Sequence, residues 1–170
     1  MRCLVTGATG YIGGRLAPRL IEAGHTVRCL TRGAGRLRDV PWASQVEIAQ
    51  GDLSDPATLP AAFDGVDVAY FLVHSLGQPD FESLDRAAAH NFAAAARAAG
   101  VRRIVYLGGP EPPADGIQSA HLRSRAEVGR ILLTSGVPTV ELRAAVIIGS
   151  GSASFEMLRY LTERLPVMIT

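Results

Sequence analysis

The chain has 170 residues, enough for one domain with a sizeable core. Its 17 basic and 16 acidic residues leave a net charge of +1, so it lacks the field that draws a protein to nucleic acid or to a membrane surface. Every one of the basic residues is arginine, and there is no lysine at all.

An apolar run over residues 2–6 predicts a first strand and ends in glycines at positions 7, 10 and 13. A helix over 13–23 follows, with Ile12, Leu16 and Leu20 on one face and Gly24 as its C-cap. In such a strand–turn–helix, Gly7 allows the tight turn, Gly10 lets backbone approach a pyrophosphate, and Gly13 lets helix pack on strand. The helix start, with Thr9, Tyr11 and Ile12 around it, then offers N–H groups and a positive dipole end to phosphates. The glycines also interrupt any signal-peptide pattern, and no apolar run is long enough to span a membrane. Cys3 and Cys29 lie in apolar runs and read as buried thiols, not as a disulfide or a metal pair. A cytoplasmic protein with no metal site is expected.

A second strand, 26–31, ends at Thr31-Arg32. A Rossmann unit that takes NAD carries an acidic residue about twenty positions past the glycines. Here no Asp or Glu occurs between Glu22 and Asp39, and Arg32, Arg36 and Arg38 stand there instead. Guanidinium forks suit a 2′-phosphate, which points to NADP, with Arg32 as the main contact; NAD and a merely solvated basic loop are the alternatives. After the third strand, 46–50, comes Gly51-Asp52-Leu53-Ser54-Asp55-Pro56. Asp55 and Pro56 read as N-cap and first residue of a helix over 56–63. Asp52 is then free to face the adenine amino edge and Leu53 to cover the ring.

The fourth strand, 66–73, is apolar on both faces, as a central parallel strand should be. His74 follows it at the carboxyl edge, as a cofactor contact or as a cap of its own loop. A helix over 81–99 shows a face of Leu84, Ala87, Ala88, Phe92 and Ala95, with Asn91 its polar member. The fifth strand, 103–107, leads into the irregular segment 108–119, with Pro110, Pro112, Pro113 and Gly116, a candidate functional loop. A helix over 121–135 opens with His121-Leu122-Arg123-Ser124-Arg125. The sixth strand covers 139–143, extending at most to 148, and a last helix covers 154–164. Such alternation predicts an α/β fold: a doubly wound parallel sheet with strand order 3-2-1-4-5-6 and the ligand at the switch between strands one and four.

With Thr6-Gly7-x-x-Gly10-x-x-Gly13, Gly51-Asp52-Leu53, Asn91, Val105-Tyr106 and Leu142-Arg143 in place, the chain resembles the short-chain dehydrogenase/reductase superfamily. The likeness is to its extended and atypical branches, epimerase-like and NmrA-like, and it covers essentially the whole chain. It implies an NAD(P)-binding, oxidoreductase-like protein acting on an unknown small molecule, with a homo-oligomer left open. The superfamily's chemistry rests on Tyr-x-x-x-Lys and a nearby serine, and a chain without lysine cannot hold that motif. Gly108-Gly109 stands where the serine would be, and His121-Leu122-Arg123-Ser124-Arg125 stands where the tyrosine motif would open a helix. His121 and Arg125 share a helical face. The imidazole could serve as acid–base, its pKa lowered by the guanidinium, while Arg125 could hold ribose hydroxyls. An exposed polar helix start is the plainer alternative, and a non-catalytic dinucleotide sensor is the alternative function. Chains of this kind continue well past the sixth strand into a region that grips the substrate. Residues 1–170 are therefore expected to be the dinucleotide-binding domain, with the C-terminal substrate region absent or truncated.

Overall fold

In the computed structural model, which describes residues 1–75, 77–111 and 119–165, six parallel strands form one sheet. They are β1 (Arg2–Thr6), β2 (Thr26–Thr31), β3 (Glu47–Gln50), β4 (Val68–Phe71), β5 (Arg103–Gly108) and β6 (Thr139–Arg143). Their order is β3-β2-β1-β4-β5-β6, as the alternation of strands and helices predicts. Val5 pairs with Cys29 of β2 on one side and with Tyr70 of β4 on the other. The sheet therefore grows outward in both directions from β1, which opens a crevice at the carboxyl ends of β1 and β4.

Period-two alternation along β1 sends Leu4 into one core layer and Cys3 and Val5 into the other. The Leu4 layer lies under α2 (Pro60–Phe63), α3 (Phe81–Ala98) and α4 (Ala120–Leu133). There Phe92 meets Phe63 and Phe71 edge to face, at centroid distances of 5.1 and 5.0 Å. The other layer packs α1 (Gly13–Glu22) with Leu37 and Trp42, and holds both cysteines as free, buried thiols. Burial pushes the Cys29 thiol up to about 12. The helix after β6 is α5 (Ala153–Arg164), capped by the Ser152 hydroxyl, which accepts from Phe155 N–H.

Several expected boundaries shift. The helix over 56–63 divides into a 3₁₀ turn, Pro56–Thr58, and the single turn α2. Pro60 has no N–H to donate back to Pro56, which breaks the ladder there. Asp55 caps the 3₁₀ turn, accepting from Ala57 N–H. The fourth strand covers 68–71 instead of 66–73; beside it Arg2 N–H donates to the Asp67 carboxylate, and just past its end Leu72 N–H turns to the Thr6 hydroxyl. β6 stops at Arg143, so the extension toward 148 does not form.

Two helices also turn different faces inward. α1 buries Gly13, Ala17 and Leu20, leaving Leu16 half-buried and Ile12 at the N-cap. On α3 the buried set is Asp85, Ala89, Phe92, Ala93 and Ala96, one residue further on than the expected stripe, a rotation of about 100°. Leu84 is 41% exposed. The inward face includes Asp85, whose buried carboxylate has hydrogen-bond partners that a reading by hydropathy does not foresee. Of the irregular segment 108–119, residues 112–118 lie outside the described residues, as do the last residues, 166–170.

Candidate functional site

At the crevice the chain forms a cleft of about 540 Å³, lined from the ends of β1, β2 and β4, the segment after β3 and the start of α3. The turn after β1 forms its floor. Gly7 has φ +71°, and a Cβ there would meet the Leu72 carbonyl oxygen at 2.9 Å, so both conformation and space require glycine. A Cβ on Gly13 would run into the Gly7 carbonyl, so this glycine lets α1 close onto the turn. A Cβ on Gly10 would meet only the Gly7 oxygen, at 3.2 Å, and Gly10 itself lines the cleft. No side chain caps α1 at Ile12, so its first-turn N–H groups face no competing side-chain acceptor there.

Thr9, Arg32, Arg36, Asp52, Leu53 and His74 line the same cleft as Gly7 and Gly10. The arginines come from the end of β2 and the 3₁₀ turn that follows it. The Asp52 carboxylate accepts from Ser54 N–H at 2.9 Å. That bond, with the Ser54 hydroxyl and the Arg32 charge, holds its pKa below the usual carboxylate value. Asn91 reaches across from α3 and donates from Nδ2 to the Leu53 carbonyl at 2.7 Å. The asparagine therefore anchors the segment after β3, one wall of the cleft.

The other end of the cleft is built on the turn after β4. The His74 ring lies 6.4 Å from that of His121, roughly edge to face, so α4 brings a second imidazole beside the one that lines the cleft. Both pKa values are lowered, first by burial and then by the Arg125 charge, with Asp85 opposing in part. The Arg125 guanidinium donates to the Leu107 carbonyl and lies 5.0 Å from the Tyr106 ring centre. Tyr106 is fully buried, donates to the Arg125 carbonyl at 2.9 Å, and has its phenol pushed up to about 12 by burial. It stays a neutral donor near pH 7.

His121 and Arg125 are thus grouped beside His74, outside the cleft lining. Ile12 and Gly13 form the start of α1, beneath the turn. Tyr11 is absent from the cleft lining: Arg15 covers its ring at 3.6 Å and also donates to the Ser150 carbonyl at 3.0 Å, tying the turn to the segment before α5. Sequence reasoning missed Asp85, 4% exposed, and Ser124, 2% exposed. Asp85 accepts from Ser75 N–H at 2.7 Å and from the Ser124 hydroxyl at 3.3 Å. The spacing Asp85–Ala89–Phe92–Ala96 was the available signal, a helical stripe with one acidic member.

The fold and this cleft define a dinucleotide-binding α/β domain. The NAD(P)H-binding family model matches residues 7–136, and the chain belongs to that family. It is 38% identical over 143 residues to the (4-alkanoyl-5-oxo-2,5-dihydrofuran-3-yl)methyl phosphate reductase of Streptomyces griseus, a match covering 82% of this chain and 46% of that protein. It is 39% identical over 106 residues to the NAD(P)H azoreductase of Xenophilus azovorans, covering 62% of this chain and 35% of the relative. Among solved structures, triphenylmethane reductase from Citrobacter sp., complexed with NADP(H), superposes with a TM-score of 0.74 at 28% identity, over 96% of this chain and 55% of that one. The neighbours lie in the extended and atypical short-chain dehydrogenase/reductase group, where the sequence motifs placed the chain. The chain spans about half the length of the curated relatives it matches, or less. Among the described residues no helix is long and apolar enough to cross a membrane.

Proposed function

We propose that this chain is the dinucleotide-binding domain of an NADPH-dependent reductase, with NADP preferred to NAD, and that His121, coupled to His74, delivers the proton to a small-molecule substrate. The observation that carries the reading is the convergence of Gly7, Gly10, Arg32, Arg36, Asp52 and His74 on one cleft at the switch point. A pyrophosphate fits over the glycine turn at the open end of α1, and the two guanidinium groups suit a 2′-phosphate at the end of β2. Asp52 and Leu53 suit the adenine, in a segment held by Asn91. When bound, the reduced nicotinamide supplies a hydride. The imidazoles supply the proton that the substrate's heteroatom then needs, and burial, reinforced by the Arg125 charge, keeps them below their ordinary pKa.

A neutral imidazole must first be protonated to act as a donor, so turnover should rise as pH falls through the lowered pKa of the pair. The test is NADPH oxidation by the chain, and by the longest natural form that contains it, across a panel of carbonyl and quinone acceptors. His121→Phe should remove turnover at saturating NADPH and leave nucleotide affinity nearly unchanged. The absence of Tyr-x-x-x-Lys and the Gly108-Gly109 pair favour a second reading, a non-catalytic NADP sensor. Tight NADPH binding with oxidation no faster than buffer across the whole panel would decide for it.

A further inference from the structure

We propose that Asp85 is a positioning residue: its buried carboxylate clasps the turn after β4 to α4, sets the His74 and His121 rings together, and serves as the counter-ion of the pair. The proposal rests on the reading of these histidines as the proton-handling end of the cleft. Its geometry is independent of any bound nucleotide. One carboxylate oxygen takes Ser75 N–H, the residue next to His74. The other takes the hydroxyl of Ser124, one turn along α4 from His121. A single side chain on α3 therefore fixes both histidine-bearing segments, and it lines the cleft itself.

A buried carboxylate is costly unless it is hydrogen-bonded, and each oxygen of Asp85 accepts a hydrogen bond. Its charge favours the protonated form of His74, on the turn after β4, and of His121, on α4, where Arg125 opposes it; from β5, Tyr106 is also within its electrostatic reach. Glu141 of β6 acts on Tyr106 beyond them. The further charges between α3 and α4, Arg86 with Glu127 and Arg123 with Glu82, form ion pairs across the two helices. Burial and Arg125 push the imidazoles toward neutrality, and Asp85 is the group that pulls them back. Without it, the pair would hold a proton only at lower pH.

The experiment is NMR titration of the histidine side chains in the full chain, with NADPH affinity measured in parallel by calorimetry. Asp85→Asn preserves size and can accept the Ser75 bond, but it removes the charge. The His74 and His121 midpoints should fall by about half to one pH unit, the size of a partly screened charge at this range. Midpoints unchanged from the parent protein would overturn the proposal. If Asp85→Asn does not fold, Ser124→Ala carries the test, since it removes only one arm of the clasp. The rings then separate and gain water, and both midpoints should move up toward the ordinary imidazole value. Unmoved midpoints there would be equally fatal. A protein that binds NADPH but never oxidises it still shows these shifts, so failure of the reductase reading and failure of the clasp are separate results.

Discussion

The two ends of the cleft are built by different means. The glycine-turn end is mostly backbone: a glycine turn, an uncapped helix start and a short segment after β3, each a run of consecutive residues. The histidine end is made of side chains from positions far apart, with His74, Asp85, His121 and Arg125 grouped by the turn after β4, α3 and α4. A backbone-built site keeps its shape when most side chains change, and it tolerates almost no Cβ. A side-chain site tolerates small changes of shape and depends instead on charge.

Substitutions at the glycine turn should show that contrast most strongly. Gly10→Val places a branched side chain in the cleft floor and should weaken NADPH binding at least a hundredfold, about 2.7 kcal/mol, while circular dichroism stays native. Unchanged affinity by calorimetry would mean that the pyrophosphate does not sit there. Asn91→Ala is a side-chain change acting on the backbone end. It leaves the Leu53 carbonyl without its donor and should cost about 1–3 kcal/mol in stability, with weaker nucleotide binding as well. Full retention of both would show that this asparagine does not support the cleft wall.

Arg32→Ala tests whether charge matters at the backbone end too. The parent protein should bind NADP more tightly than NAD, and the variant should narrow that gap by roughly 1–3 kcal/mol. Equal affinities in the parent would show the arginines to be solvated only. The smallest effect is thermal. His74 and His121 have lowered pKa values in the folded state, so between the unfolded value of 6.5 and the folded ones the unfolded chain binds more protons. Stability should therefore be constant above that window and fall as pH drops through it, before carboxylates such as Asp52 begin to titrate. In His74→Gln the melting temperature should fall less between pH 7.5 and 5; an unaltered slope would show that His74 does not contribute.

Of the fold, the sequence alone determined the parts that depend on neighbouring residues. Six apolar runs and the helices between them dictated a parallel sheet and its order, and the glycine triplet marked the turn, where a positive φ at Gly7 and a close approach at Gly13 require glycine. The gap in acidic residues after Glu22 was legible for the same reason, since Arg32 and Arg36 lie at a set distance beyond the glycines. Only the tertiary structure decided which face of α3 turns inward and that Asp85 belongs to it. A carboxylate enters a core when partners from other elements meet it, and Ser75 and Ser124 are brought there by the turn after β4 and by α4. It likewise put His121 beside His74 and aimed Arg125 at the Leu107 carbonyl, because proximity between residues tens of positions apart is created by the crossovers and leaves no local trace.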